Sequence, residues 1–325
     1  MTRSILFVNA ALTAVLYCLV PPAAAQSRYP EKPISLVVAA LPGGATDILA
    51  RPTAQALSKQ LGTPVVVINK AGANERIGTE FVAKSANDGY TLLYNSASLV
   101  INPVFYAKPG YDLFSEFSPV ALIATLPLVF VASPTLPVAN VQEFVAYAKQ
   151  NPGKIAYAAI GIGTGTHLGA QLFFNANGIN ALVVPYKGGS AAVIDLIGGR
   201  VQFYAGTPAL LLPYIRDNRV RPLAVAALKR LPMLEDVPTV HETVNPNFEA
   251  GLWYGIVAPA GTPPAIVRRL NGEIVKFLRE SDTVAKLGVV GAIPVGSTPE
   301  EYGAYIRSET ERWGKVIRDA GIKPE

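Results

Sequence analysis

Two glycine-rich turns are the part of this sequence best suited to chemistry. Pro42–Asp47 (PGGATD) and Gly161–His167 (GIGTGTH) each follow an apolar, strand-like run and precede a stretch with helical spacing. The first turn of a helix leaves backbone N–H groups without partners and carries about half a positive charge, so it binds anions without a basic side chain. Glycine lets the backbone approach such an anion closely. The two turns therefore predict a clamp for a carboxylate or a phosphate.

Other kinds of site find less support in the sequence. The glycines of Gly161–Gly165 are not spaced as in a dinucleotide-binding fingerprint, and Gly188–Ala192 lacks the final glycine of a hydrolase nucleophile elbow. His167 and His241 lie in no recognisable catalytic triad, and they are too few to form a metal-ligand cluster. We expect no catalysis, no cofactor and no metal, and we keep a secreted hydrolase as the less favoured alternative.

The first 25 residues are typical of a secretory signal peptide. Arg3 precedes an apolar stretch over residues 5–20, and Ala23–Ala25 supplies the small residues of a cleavage site. The stretch is shorter than the roughly 20 residues needed to span a bilayer. We therefore expect cleavage near Ala25 and export to the periplasm. The single cysteine, Cys18, lies within this segment, so the mature chain would contain no disulfide.

The charge balance limits the partners of the mature chain. The full sequence has 28 Lys and Arg against 23 Asp and Glu, a net charge of +5. The basic residues form no run and do not alternate with aromatic residues, so we expect no binding to nucleic acid. A mild positive field instead favours the approach of a small anion. The length of 325 residues, half of them hydrophobic, suits two domains of ordinary size, and we expect a soluble monomer.

Strand-like apolar runs alternate with helical segments along the rest of the chain, which predicts α/β layers with mostly parallel sheets. The runs are 34–40, 65–69, 91–94, 120–123, 128–132, 156–159, 182–185, 203–205, 222–227 and 253–258. Helical spacing is found over 48–60, 142–151, 168–177, 191–197 and 210–217, and again in the tail from 264 to 320.

Two apolar segments, Val120–Ala124 and Leu252–Val257, could run between domains as paired hinge strands, because no Pro, Asn or Asp interrupts them. We therefore predict a two-lobed α/β fold. Domain 1 would comprise residues 26–122 and 252–325, and domain 2 would comprise residues 123–251. Both glycine turns would then face the cleft between the lobes, where ligands bind in open α/β sheets.

The sequence from Tyr29 to Ile322 resembles the periplasmic solute-binding proteins of the tripartite tricarboxylate transporters, also called the Bug receptor family. The resemblance rests on the shared order and spacing of short motifs: Tyr29–Ile34, Pro42–Asp47, Asn87–Leu93, Ile101–Pro103, Gly163–Leu168, Val184–Gly188, Asp236–Val240, Trp253–Gly255 and Ala258–Pro263. It implies a type II periplasmic-binding-protein fold that closes on a small carboxylate and delivers it to membrane permease subunits. A periplasmic sensor that reports its ligand to a membrane receptor would have the same features and stays an alternative.

The resemblance also implies which residues hold the ligand. In the family, backbone amides and ordered water from the first loop and the middle turn fix one carboxylate. Carried onto this sequence, those residues are Gly43, Gly44, Ala45 and Asp47 in the first loop, Gly163, Thr164, Thr166 and His167 in the middle turn, and Ser96 and Ser98 after the third strand. We add Tyr186, Gly206 and Thr207 as candidates that line the pocket.

The roles of three of these side chains stay open. Asp47 either stabilises the start of its helix and accepts from the amides of the turn, or binds a cationic group of the ligand. His167 either contacts a ligand oxygen or caps the helix beside it. Tyr186 either lines the pocket or packs between the domains, since an aromatic side chain is well buried in both places.

Departures from the family's usual pattern bear on the choice of ligand. Ala39–Leu41 stands where an aromatic residue and a proline are common, which predicts room for a bulkier ligand. In a loop that is commonly rich in glycine, Arg76 is either the partner of a second carboxylate or a surface arginine paired with a neighbouring glutamate. Gly206–Thr207 replaces a common acidic residue. Together these changes favour a dicarboxylate or an aromatic carboxylate over an amino acid.

Overall fold

Two mixed β-sheets organise the computed structural model, which describes residues 29–323. In this part of the chain the strands are β1 (Ile34–Val38), β2 (Val65–Asn69), β3 (Thr91–Ser96), β4 (Phe117–Pro127), β5 (Val129–Ala132), β6 (Ala156–Ile160), β7 (Leu182–Tyr186), β8 (Phe203–Gly206), β9 (Arg221–Val225), β10 (Gly251–Pro259) and β11 (Ile293–Pro294). The first sheet has the order β11-β4-β10-β3-β1-β2, and the second has the order β7-β6-β8-β5-β9.

Helices connect most of these strands. Those with described ends are α1 (Ala45–Leu61), α2 (Arg76–Ala83), α3 (Ser98–Phe105), α4 (Val141–Gln150), α5 (Gly165–Asn177), α6 (Gly189–Ile197), α7 (Pro208–Arg216), α8 (Val240–Thr243), α9 (Pro264–Leu278), α10 (Ser281–Val289) and α11 (Pro299–Asp319). A short 3₁₀ turn covers Pro232–Leu234. The α/β architecture predicted from the alternating pattern is confirmed.

The prediction of mostly parallel sheets is wrong. β1 pairs in parallel with β2 and β3, and β6 pairs in parallel with β7 and β8. However, β10 is antiparallel to both β3 and β4, and β5 is antiparallel to β8 and β9. The mixed direction comes from the strands next to the crossings between the sheets. β10 enters the first sheet antiparallel to β3, and β5 enters the second sheet antiparallel to β8.

The chain passes between the sheets at two adjacent points. β4 ends at Pro127 and β5 begins at Val129 in the other sheet, so the first crossing is at Leu128. The Leu128 N–H donates to the Ala250 carbonyl, and the Leu128 carbonyl accepts from the Ala226 N–H. The second crossing follows Ala226 and ends at Ala250, directly before β10. The second crossing ends beside the boundary expected at residues 251 and 252, whereas the first lies after the boundary expected at residues 122 and 123. The division into two domains stays a prediction.

The expected hinge segments Val120–Ala124 and Leu252–Val257 lie within the first sheet and pair with each other in antiparallel register. The first crossing comes later than the sequence indicates because β4 continues to Pro127 and is buried over most of its length. The segments that connect the sheets are therefore the continuations of this strand pair.

Buried aromatic residues fill the second sheet's main core. Phe130 lies between Phe173 and Phe203, with ring centroids 5.0 and 5.3 Å apart, and Phe144 and Phe174 complete the cluster. The core beside the first sheet is built on α11, through Tyr302 and Trp313, and also takes in Leu168 from α5. This shared packing fixes the start of α5 against the first sheet's layer.

The predicted signal peptide, residues 1–25, lies outside the described residues. Between residues 29 and 323, no helix is both long enough and apolar enough to cross a bilayer.

Candidate functional site

Six helices follow the carboxyl ends of parallel strands along the chain. β1, β2 and β3 lead into α1, α2 and α3, and β6, β7 and β8 lead into α5, α6 and α7. Parallel neighbours end at the same edge of a sheet, so each sheet has one edge lined by helix N-termini, the usual location of a ligand in an α/β fold. The candidate ligand residues from the sequence lie at these two edges.

At the start of α1, Asp47 organises the first glycine turn. Its Oδ2 accepts from the Gly43 N–H at 2.9 Å and from the Arg51 Nε at 2.8 Å, while Oδ1 accepts from the Asn69 Nδ2 at 2.9 Å. These contacts, the one with Arg51 foremost, lower the pKa of this buried carboxyl to about 2. Asp47 is therefore ionised and fully engaged by the protein, which supports its structural role over contact with a cationic ligand.

The same contacts show which amides the first turn leaves for a ligand. The Gly43 N–H is taken by Asp47, and the Gly44 N–H donates to the Leu41 carbonyl. The N–H groups of Ala45, Thr46 and Asp47 precede the first intrahelical bond of α1, and none has an acceptor among the described residues. Of the residues expected in this loop, Ala45 and Asp47 thus present free amides, whereas Gly43 and Gly44 shape the turn.

Ser96 and Ser98 lie at the start of α3 and share a polar network with Glu75. The Ser98 N–H donates to the Ser96 Oγ at 3.1 Å, and the Ser96 hydroxyl donates to the Glu75 Oε2 at 2.7 Å. The Thr46 hydroxyl also lies beside the Glu75 carboxyl. The network joins the start of α1 to the start of α3.

Arg76 is anchored away from this network. Its Nε donates to the Ala73 carbonyl at 3.0 Å, its Nη1 donates to the Lys108 carbonyl at 3.1 Å, and its guanidinium stacks 4.2 Å from the Tyr106 ring centroid. It pairs with neither Glu75 nor Glu80, the neighbouring glutamates that the sequence offered. None of these contacts is with another candidate ligand residue.

Ala39 is small for a reason unrelated to the ligand. A Cβ added at Gly78 would lie 2.7 Å from the Ala39 Cβ, so α2 packs directly on this position. Ala39 is buried there, whereas Leu41 is 71% exposed. The room expected from the missing aromatic side chain at residues 39–41 is thus partly filled by α2.

The middle glycine turn is held by Thr164 and His167. Thr164 caps α5, where its Oγ1 accepts from the His167 N–H at 3.4 Å, and its hydroxyl lies 3.1 Å from the Thr166 Oγ1. The His167 Nδ1 accepts from the Gly163 N–H at 3.0 Å. The N–H groups of Gly165 and Thr166 have no acceptor among the described residues. The turn therefore offers two amides at the start of a 13-residue helix.

His167 is neutral at physiological pH. The side chain is 2% exposed and stacks on Tyr157, with ring centroids 6.0 Å apart, and burial lowers its pKa to about 4. Because Nδ1 accepts from Gly163, the ring proton is on Nε2, which finds no acceptor among the described residues. His167 thus supports the turn and keeps one donor for a ligand, so the two roles considered from the sequence are compatible.

This burial makes the protein's stability depend on pH. The unfolded chain takes up a proton at His167 near pH 6.5, whereas the folded protein does so only near pH 4. The contribution of His167 is therefore fully present above pH 6.5, and up to about 3 kcal/mol is lost as the pH falls from 6.5 to 4. Urea unfolding across this range should show a smaller loss in His167→Asn. The matched control is His241→Asn, and an equal loss in wild type and His167→Asn would contradict the assignment.

The middle turn abuts the layer of the first sheet. A Cβ added at Gly163 would lie 2.7 Å from the Phe105 ring, and one added at Gly165 would lie 2.6 Å from the Leu252 side chain. Phe105 ends α3, whose first residue is Ser98, so the two groups of candidate residues are joined by one helix about 10 Å long. The turn of one sheet thus rests against a helix of the other.

Tyr186, Gly206 and Thr207 lie along the same edge of the second sheet. Tyr186 pairs with Ile160 at the end of β6, and Gly206 ends β8 directly before Thr207, the residue that precedes α7. The Tyr186 hydroxyl donates to the Asp195 Oδ2 at 2.8 Å, and burial followed by this contact raises the Tyr186 pKa to about 12. Its hydroxyl is therefore engaged by the protein, and only its ring is left to line a pocket.

A match to a protein-family model identifies the family of this chain. The model for the tripartite tricarboxylate transporter family receptor matches residues 49–322. The chain belongs to this family. These receptors are solute-binding proteins rather than enzymes, as the sequence predicted.

Similar proteins agree with this membership. BugT of Bordetella pertussis is 38% identical over 297 residues, which cover 91% of each chain. Among solved structures, this receptor resembles Rpa4515 of R. palustris with adipate, at 35% identity and a TM-score of 0.79, covering 91% of this chain and 100% of that one. It also resembles MatC of Rhodopseudomonas palustris with bound malate, at 29% identity and a TM-score of 0.74, covering 89% and 100%.

A separate, largely apolar cavity lies elsewhere in the receptor. It has a volume of about 1020 Å³, lies beside the crossings between the sheets and is lined largely by apolar residues, among them Leu252, Val289 and Ile293. None of the candidate ligand residues lines it. Over residues 29–323, no group of His, Cys, Asp or Glu side chains is arranged to hold a metal ion.

Two polar residues of the candidate site, Glu75 and Thr46, are not among the residues predicted from the sequence. The signal for Thr46 was available, because it follows the glycine pair in the first turn of α1. Glu75 could not be placed from the sequence, because its contact with Ser96 depends on how the loop after β2 folds over β3.

Proposed function

We propose that this receptor binds a small carboxylate between its two glycine turns and delivers it to the permease subunits of a tripartite tricarboxylate transporter. The observation that carries the proposal is the set of amides without acceptors at the starts of α1 and α5. Burying a carboxylate costs several kcal/mol unless its oxygens are paired. Each hydrogen bond to a charged group returns about 1.5–3 kcal/mol, so three or four of these amides suffice.

A dicarboxylate is the ligand class that we favour. The similar structures contain adipate and malate, both dicarboxylates. Asp47 is engaged by Arg51, Asn69 and Gly43, so it supports no contact with the amino group of an amino acid. An aromatic carboxylate is the second class. It was favoured by the small residues at 39–41, but Ala39 packs on α2 and so leaves little room beside the loop.

Thermal unfolding tests the proposed ligand class. The protein would be purified from cells that express the full chain and heated with di-, tri- and monocarboxylates, aromatic acids and amino acids. A ligand at 100-fold its Kd adds about 2.7 kcal/mol to the free energy of unfolding, which corresponds to an upward shift of several degrees. We expect the largest shifts with dicarboxylates. The proposal fails if no carboxylate shifts the transition, or if amino acids do so more strongly.

Export and delivery are separate parts of the proposal. We expect cleavage near Ala25, so the protein recovered from the periplasm should begin at Gln26. Deletion of the gene should abolish uptake of the carboxylate found in the thermal experiment. Unchanged uptake would favour a sensor that reports its ligand to a membrane receptor.

A further inference from the structure

Glu75 is an acidic side chain within the candidate site whose described partners are the hydroxyls of Ser96 and Thr46 and not a basic side chain. It is half-buried, and it lies beside the amides proposed to bind the ligand. We propose that Glu75 recognises the second carboxylate of a dicarboxylate by donating a hydrogen bond from its protonated carboxyl group. This inference rests on the proposed function and specifies the chemistry at the far end of the ligand.

The backbone around Glu75 is held in an unusual conformation. Ala73, Asn74 and Glu75 have φ angles of 49°, 52° and 70°, in the left-handed region that glycine adopts most readily. The loop is fixed by Asn102, whose Nδ2 donates to the Asn74 carbonyl at 2.8 Å and whose Oδ1 accepts from the Asn74 Nδ2 at 2.9 Å. Glu75 therefore has a defined position.

That position lies between two helix starts. The Ser96 hydroxyl donates to the Glu75 Oε2 at 2.7 Å and itself accepts from the first N–H of α3, that of Ser98. On the other side, the Thr46 hydroxyl lies at the start of α1, next to the free amides of Ala45 and Asp47. The second carboxylate of a ligand whose first carboxylate is held by these amides would come close to the Glu75 carboxyl.

The titratable groups around Glu75 keep one protonation state near neutral pH, so Glu75 is the group of this cluster that can change its charge. Asp47 on α1 has a pKa of about 2 and stays ionised, while burial raises the pKa values of Tyr111 and Tyr254 well above their usual range, so both stay neutral. The Arg76 guanidinium donates to the Lys108 carbonyl and stacks on the Tyr106 ring. Burial raises the Glu75 pKa, and the hydrogen bond from Ser96 opposes that increase.

A second carboxylate at this position would force Glu75 to take up a proton. Two negative charges in contact repel strongly in a partly buried site, where the effective dielectric constant is well below that of water. One proton from solvent removes this repulsion and turns Glu75 into a donor, which forms a strong O–H···O⁻ hydrogen bond with the ligand. Binding of a dicarboxylate would thus be coupled to the uptake of one proton, with no covalent change.

The test is calorimetric titration of wild type and Glu75→Gln with adipate and with hexanoate, which lacks the second carboxylate, between about pH 6 and 8.5. For wild type we expect the affinity for adipate to fall with rising pH, by up to about tenfold per pH unit. Glutamine donates an N–H without taking up a proton, so Glu75→Gln should lose this dependence. Hexanoate should bind both proteins with the same pH dependence. The ligand's own ionisation is common to both proteins and cancels in the comparison.

Glu80→Gln is the matched control, because the Glu80 carboxylate is 41% exposed and pairs with Lys84 on the surface; it should keep the wild-type dependence. If adipate binds wild type and Glu75→Gln with one pH dependence, this inference is wrong and the proposed function stands. If no carboxylate binds wild type, both fail. A preference of wild type for amine-bearing ligands that Glu75→Gln loses would also overturn the inference, because it would assign an ionised Glu75.

A second variant covers the case in which Glu75→Gln does not fold. Ser96→Ala removes the hydrogen bond that lowers the Glu75 pKa. The onset of the pH dependence with adipate should then move to higher pH. An unmoved onset in the folded variant would overturn the inference.

Discussion

Replacing Gly163 with alanine is expected to lower the free energy of unfolding by roughly 2–4 kcal/mol and to remove carboxylate binding. Gly163 has a φ of +77°, and an added Cβ would lie 2.7 Å from the Phe105 ring. The new methyl group must therefore displace either the ring or the turn. Displacement of the turn would misplace the amides of Gly165 and Thr166, on which the proposed clamp depends. Urea unfolding and titration with adipate measure the two effects.

Gly43→Ala is the matched control for this prediction. Gly43 has nearly the same φ, +79°, but an added Cβ would have no neighbour within 4 Å. Gly43→Ala should lower the free energy of unfolding only by the backbone strain, about 1–2 kcal/mol. Phe105→Leu in the Gly163→Ala background should restore part of the loss, because the smaller side chain relieves the contact. Equal losses in the two glycine variants, without rescue, would show that packing against Phe105 is unimportant.

The second large effect is expected at Glu309, a buried carboxylate of α11. Its Oε2 accepts from the Nε1 of Trp253 at 3.0 Å and from the Nε1 of Trp313 at 2.8 Å, and its Oε1 accepts from the Arg312 Nη1 at 2.8 Å. Glu309→Ala leaves both indole N–H groups and the cation without their acceptor, which should cost about 3–5 kcal/mol. Denaturant unfolding followed by tryptophan fluorescence measures this loss, since Trp253 and Trp313 are the two tryptophans of the sequence.

Glu311→Ala provides the comparison on the same helix. Glu311 is exposed, and its loss should change the stability by no more than about 0.5 kcal/mol. Glu309→Gln keeps one acceptor oxygen, so its loss of stability should lie between those of Glu309→Ala and Glu311→Ala. If Glu309→Ala is no more costly than Glu311→Ala, the carboxylate does not hold α11 on β10 in the way the contacts indicate.

The main architecture could be predicted because its signals are local. β1 and β3 contain the apolar triplets Leu36–Val38 and Leu92–Tyr94 and are buried at most positions, as expected for strands covered on both faces. α5 begins with a capping threonine after a glycine turn. The sheets' mixed direction could not be predicted, since it depends on how β4 and β10 enter their sheets. The start of β4 at Phe117 and the two-residue strand β11 likewise depend on their neighbours.

Two helices at the site were missed for identifiable reasons. α3, with the sequence SLVINPVF, contains β-branched residues and an internal proline, which disfavour a helix. It is stabilised by burial of Leu99, Val100, Ile101 and Phe105 instead. α2 follows three residues in the left-handed region, a conformation that the letters Ala-Asn-Glu do not reveal. Glu75, at the junction of α2 and its loop, was overlooked for the same reason.

The glycine turns could be predicted from the sequence. Which of their amides are bonded within the protein and which are left without an acceptor could not. The sequence indicates amides that point at an anion, yet it does not show that Asp47 takes the Gly43 N–H or that His167 takes the Gly163 N–H. Both side chains follow their glycine by four residues. In both turns the polar side chain at this spacing supports the turn, and the amides at the start of the following helix are the ones we propose for the ligand.

The most direct test of the central claim is a calorimetric titration of the purified protein with adipate and with adipamide, its uncharged diamide. If free amides at two helix starts hold a carboxylate, adipate should bind and the diamide should bind at least about a hundredfold more weakly, because roughly 3 kcal/mol of charge-assisted hydrogen bonding is lost. Equal affinities for the two compounds, or no binding of any carboxylate, would contradict the account.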